Sequence, residues 1–166
     1  MLTRVCDAVA KLLRHLLVAL GMVLIVSVTL LVLGRYVPLV PRWLWPLEIA
    51  NWAMIWFVFV GASLAVRQGN HFTVDLFLGG TPSRPVELFL KGLYFVVVGF
   101  VTLTFIGFGY GFVVDWATIQ TSEVLMINMA YLYVSVPIAG LLWLLFLAED
   151  FYQSIILRGG RSGGGR

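Results

Sequence analysis

Charge is what this chain has least of. Only 11% of its 166 residues are Asp, Glu, Lys or Arg, against about 25% in an average soluble domain. So little charge cannot keep a chain that is 61% hydrophobic dispersed in water. The net charge of +3 is also too small, and its positives too scattered, for a nucleic-acid-binding face. Cysteine is nearly absent as well. The single Cys6 excludes an internal disulfide and a cysteine metal cluster. There are two histidines, His15 and His71, and no phosphate-cradling glycine loop, nucleophile elbow or metal-ligand spacing. No catalytic residue, cofactor site or metal site is expected.

What the chain does have is long uncharged runs. Residues 15–34, 49–66, 92–114 and 124–148 contain no Asp, Glu, Lys or Arg. A helix rises about 1.5 Å per residue, so about 20 apolar residues cross a hydrocarbon core about 30 Å thick. The expectation is an all-α integral membrane protein with four transmembrane helices, spanning about 15–34, 47–66, 88–114 and 125–148. They form one membrane domain over 1–158, followed by a disordered Gly/Arg/Ser tail at 159–166. The first run begins after Arg4, Lys11 and Arg14, as a signal peptide would. It is longer than the usual signal core of about 7–15 residues, and no small-x-small site follows it, so it is expected to stay as a helix.

The positives set the orientation. Arg4, Lys11 and Arg14 precede the first span, and Arg67, Arg84 and Lys91 lie between the second and third. Arg158, Arg161 and Arg166 follow the fourth, whereas Arg35 and Arg42 alone lie in the first connection and none in the third. The positive-inside rule puts both termini and the middle connection in the cytoplasm.

The first connection holds Pro38, Pro41 and Pro46, which forbid a continuous helix, and Trp43 and Trp45, which suit the headgroup level. In the second span Ala50, Ala53, Phe57, Gly61, Leu64 and Ala65 share one helical face. Glu48, Trp52, Ile55, Phe59 and Ser63 share the opposite one. Small residues let backbones approach, so the first face is expected inside the bundle and the second against lipid or a partner. The polar/apolar alternation at 71–78 predicts a short interfacial helix between the second and third spans. Gly107 and Gly111 form a GxxxG pair suited to helix packing, and Pro137 should kink the fourth span.

Intramembrane chemistry normally requires ionisable residues inside the spans, and the cores of the four runs have none, His15 lying at the edge of the first. Both histidines belong near one membrane surface, which speaks against a haem or quinone anchor for an oxidoreductase. The economical reading is a partner subunit. One stretch is distinctive: Glu48, then Trp56 with Gly61-Ala62, then Arg67, His71 and Asp75 at four-residue spacing. It resembles the small permease subunit, DctQ-type, of tripartite ATP-independent periplasmic (TRAP) transporters. Thr121-Ser122 through Val136-Pro137 is similar to that family's approach to its last helix. The family often has a Glu-Glu pair where this chain has Leu47-Glu48, and proline where it has Glu123 and Asn128. The Arg67/His71/Asp75 run argues against the small subunit of a tripartite tricarboxylate transporter, another four-span partner.

The resemblance implies a multi-pass protein of the bacterial inner membrane, paired in the bilayer with a large permease subunit that carries substrate and sodium sites. A periplasmic binding protein delivers the substrate, usually an organic acid such as a dicarboxylate, for symport. The small subunit acts as scaffold and is not an enzyme. Glu48, Trp52, Trp56, Arg67, His71 and Asp75 are the candidate interface or structural residues. A reporter fused after Arg14 or at Gly80 is expected to read as cytoplasmic, and one near Val40 or Gln120 as periplasmic. A periplasmic signal at Gly80 would overturn the span assignment.

Overall fold

A computed structural model describes residues 2–78 and 84–159, with side chains described at 3–68, 86, 89–90 and 92–152. Five helices follow in order: α1 (Leu2–Tyr36), α2 (Trp45–Leu78), α3 (Arg84–Phe112), α4 (Ala130–Tyr133) and α5 (Ser135–Gly159), with a π-helical turn at Val113–Ala117 after α3. Four helical stretches among the described residues are long and apolar enough to cross a membrane: Thr3–Tyr36, Trp45–Gln68, Gly92–Ala117 and Ala130–Tyr152. In hydrocarbon every backbone N–H and C=O must be satisfied within the chain, and uninterrupted helices do that. The few hydroxyls in the spans follow the same rule. Thr29, Ser63, Thr102 and Thr104 each donate to the carbonyl four residues back, at 2.7–2.9 Å.

Proline sets several boundaries. Pro38 follows Val37, where α1 has just ended, because the residue before proline avoids the helical region. Pro46 stands in the first turn of α2, where its missing N–H leaves no bond unmade. Pro137 takes away the N–H that would bond Tyr133, and the helix breaks at Val134, between α4 and α5. The expected kink in the fourth span is this break. Ser135 Oγ donates to the Leu132 carbonyl there at 2.7 Å.

The helices form a flattened bundle. α2 and α5 make the central pair, α1 lies mainly on α2, and α3 lies mainly on α5. Burial follows this order: the most hydropathic stretches of α1 and α3 are only 6% buried, those of α2 and α5 28% and 33%. Glycines mark the closest approach. A Cβ on Gly140 of α5 would stand 2.8 Å from Ile106 of α3, and one on Gly109 of α3 would stand 3.1 Å from Val136. The GxxxG pair plays no part in this seam, since nothing lies within 4 Å of a Cβ built on Gly107 or Gly111. The small residues that matter sit where the two helices meet, on the other side of α3.

Two further features differ from the sequence reading. The stretch expected as a separate interfacial helix is the continuation of α2, which runs unbroken through Gly69 and Asn70 to Leu78. The face of α2 assigned to lipid or a partner is instead drawn inward. Ser63 is fully buried, its Oγ accepting the Trp143 Nε1–H at 3.1 Å, and Phe59 meets Phe105 edge to face at 6.0 Å. The exposed stripe is Leu47, Asn51, Met54, Val58 and Ala65. The small face packs at Ala50, Ala53 and Leu64, whereas Phe57 and Ala65, expected inside with them, are exposed at its edge; α2 is covered on two sides, as a central helix must be.

Candidate functional site

The main core cluster lies toward the end of the bundle where α1 starts and α5 finishes. Cys6, Ala10 and Leu13 of α1, Val60 and Leu64 of α2, and Phe146 of α5 are buried together, with Trp56 packed against them. Arg67 closes this cluster. It is the first charge after the apolar run of α2, and its guanidinium reaches both neighbouring helices. Nε lies 3.2 Å from Glu149 Oε2 and Nη2 lies 3.3 Å from Glu149 Oε1, a two-point contact with α5. Nη2 also donates to Asp7 Oδ1 of α1 at 2.6 Å. The Arg67 Cζ stands 5.6 Å from the centre of the Phe146 ring, adding a cation–π contact.

Burial ranks the two carboxylates. The Glu149 side chain is 6% exposed and that of Asp7 65%. A buried carboxylate needs its cation, because leaving either partner alone in a low-dielectric site is costly. An exposed ion pair contributes only about 0–1 kcal/mol. Arg67–Glu149 is therefore the structural tie, and Asp7 adds a weaker one. Cys6 is fully buried in the same cluster. Beside the node, Tyr94 of α3 donates its hydroxyl to the Val66 carbonyl at 3.2 Å.

A second polar tie lies at the opposite end. Glu48, in the first turn of α2, accepts the backbone N–H groups of Val124 (3.2 Å) and Leu125 (2.8 Å) through Oε2. The segment it grips is a tight loop closed by an antiparallel bridge between Thr121 and Asn128. Ser122 N–H donates to the Ile127 carbonyl (2.8 Å) and Met129 N–H to that of Gln120 (2.9 Å). Met126, at φ 54°, takes the left-handed conformation at the turn. Such a backbone costs a side-chain-bearing residue roughly 1–2 kcal/mol, so the loop holds its shape because its neighbours impose it. Asn128 does much of that: Nδ2 donates to the Thr118 carbonyl (2.8 Å) and Oδ1 accepts from Ala130 N–H (2.7 Å). Asn128 thus restrains the backbone of the loop through its side-chain amide.

Of the sequence candidates, Glu48 and Arg67 occupy the two ties. Trp52 and Trp56 are half-buried along α2. The side chains of His71 and Asp75 lie outside the described residues. Sequence reasoning passed over Asp7 and Glu149. The available signal was that Asp7 is the one acid among the basic residues before the first uncharged run, and Glu149 the first charge after the last.

Four membrane-length helices, their described polar ties concentrated at the two ends, define a small polytopic membrane protein built to present apolar flanks. The sequence matches the DctQ component of the tripartite ATP-independent periplasmic transporters over residues 22–156. The chain belongs to that family, and is a small membrane subunit of such a transporter. No curated protein matches it.

The burial ranking gives an order of effects. Arg67→Gln and Glu149→Gln are each expected to lower stability in detergent by about 1–3 kcal/mol, and Asp7→Asn by no more than about 1 kcal/mol. The Arg67→Gln/Glu149→Gln pair should lose less than the sum of its singles. A thermal-unfolding cycle checks this. Equal effects for Asp7 and Glu149, or strict additivity of the Arg67 and Glu149 changes, would contradict the assignment.

Proposed function

We propose that this protein is the scaffold subunit for a large permease subunit in the bacterial inner membrane, with both termini cytoplasmic. In this reading the large subunit carries the substrate and sodium sites, and a periplasmic binding protein delivers an organic acid to the pair. The observation that carries the reading is the placement of charge. Apart from His15 at the edge of the first, the uncharged runs offer no Asp, Glu, Lys, Arg or His to bind an organic acid or a sodium ion, and Arg67, Asp7, Glu149 and Glu48 are engaged in tying the helices and the loop before α4 to one another. The flanks support it too. α1 and α3 expose Met22, Ile25, Phe100 and Phe108 along membrane-spanning stretches, surface suited to lipid on one side and a larger apolar partner on the other.

The Glu48-held loop fits a second part of the same reading. Together with the π-helical turn it displays Trp116, Ile119 and Met126, all well exposed, on the side opposite the termini. A fixed loop with apolar residues at its surface is suited to a docking protein, which for this family is the binding protein. On this reading Glu48, Trp52, Trp56 and Arg67 act by holding the scaffold's shape, and His71 and Asp75 belong to the same motif.

Reconstitution tests the proposal. In liposomes with an inward sodium gradient, this chain alone should take up no organic acid with or without its binding protein, and uptake should need the large subunit as well. Sodium-driven uptake by the isolated chain would overturn it.

A further inference from the structure

The connection between α1 and α2 folds back on the end of α1. A turn closes from Val40 N–H to the Val37 carbonyl at 3.0 Å, with Pro38 at the position that proline favours. A tighter one follows from Trp43 N–H to the Pro41 carbonyl at 3.1 Å. The returning chain passes so near α1 that a Cβ on Gly34 would lie 3.2 Å from the Pro41 oxygen. Glycine is what allows this approach, and its result is to bring Arg42 alongside Arg35.

The two arginines then line one groove of about 360 Å³, together with Leu30, Leu31, Gly34 and Trp43. Its lining contains no carboxylate, and among the described residues neither guanidinium has an ion-pair partner. Arg35 leans over the ring of Tyr36, with Cζ 6.0 Å from its centre. Trp43 and Trp45 pack against one another at 6.0 Å, the kind of aromatic belt that sits at headgroup depth. Leu30 and Leu31 lie a helical turn deeper, toward the hydrocarbon. The groove therefore has a doubly cationic mouth at the headgroups and an apolar floor at the first acyl carbons.

We propose that this groove binds an anionic phospholipid in the leaflet opposite the termini. The guanidiniums of Arg35 and Arg42 take the phosphodiester, whose oxygens suit their forked donors, and an acyl chain lies over Leu30 and Leu31. Two cations and no acid favour phosphatidylglycerol over phosphatidylcholine, whose own ammonium group would be held beside the arginines. The site also gives a physical role to the two positives that lie on the side the positive-inside rule leaves poor in charge.

The test is native mass spectrometry of the full chain, released from membranes containing equal phosphatidylglycerol and phosphatidylcholine, reading the ratio of the two lipids retained. Each arginine near a headgroup contributes roughly fivefold to anionic-lipid binding. The wild-type chain should retain phosphatidylglycerol preferentially, and Arg35→Gln/Arg42→Gln should cut that preference at least about fivefold. Leu31→Trp keeps both charges but fills the floor, and it too should lose the bound lipid. Loss in the arginine variant with full retention in Leu31→Trp would mean diffuse surface attraction and overturn the groove site. An unchanged ratio in both variants, or displacement of the lipid by millimolar inorganic phosphate, would also overturn it.

Discussion

The contact between Arg67 and Glu149 is the constraint on which the rest of this bundle depends. Hydrocarbon tails are as apolar as leucine, so no hydrophobic force drives transmembrane helices together once they are inserted. Their arrangement is decided by close packing and by polar groups that must find partners. Arg67 on α2 and Glu149 on α5 satisfy one another at two points, 3.2 and 3.3 Å apart, above a buried core. Asp7 brings the start of α1 to the same guanidinium. One cation thus ties α1, α2 and α5 together.

The remaining polar contacts extend the order set at that end. One helical turn from Arg67, the Trp143 indole donates to Ser63, whose own hydroxyl is already bonded to the preceding turn. At the far end Glu48 grips the loop before α4 by two backbone N–H groups. Charges therefore stand at the membrane surfaces, and only neutral hydrogen bonds lie between them, in keeping with the cost of placing an ion in hydrocarbon. The described ties leave the outer surfaces of α1 and α3 apolar and available. For a subunit of a tripartite transporter, that is a shape fitted to assembly.

Much of this was legible in the sequence. The uncharged runs located four membrane-length helices, and the motif from Glu48 to Asp75 pointed to the family that the chain proves to match. Helix partners were less readable, for a definite reason. In water a helix shows its inner face by being apolar there; in lipid both faces are apolar. The inward face of α2 carrying Phe59 and Ser63 therefore looked like a lipid or partner face. The GxxxG spacing likewise marked Gly107 and Gly111, while the close approach falls at Gly109 and Gly140, because spacing within one helix does not say which neighbour it meets. Asp7 and Glu149 lie 60 and 82 residues from Arg67, beyond any local pattern. The alternation at 71–78 suggested a separate interfacial helix, yet α2 continues through Gly69 and Asn70 to Leu78.

Cross-linking in intact membranes tests the helix order most directly. In a Cys6→Ser background, short thiol linkers should join Leu17→Cys to Gly61→Cys, where a Cβ at 61 lies 3.5 Å from Leu17, and Gly99→Cys to Leu147→Cys, where the gap is 3.9 Å. Val26→Cys and Leu103→Cys, both exposed at mid-span on α1 and α3, should not be joined within one chain. Efficient intrachain linkage of that third pair, with failure of the first two, would contradict a central α2–α5 pair flanked by α1 and α3.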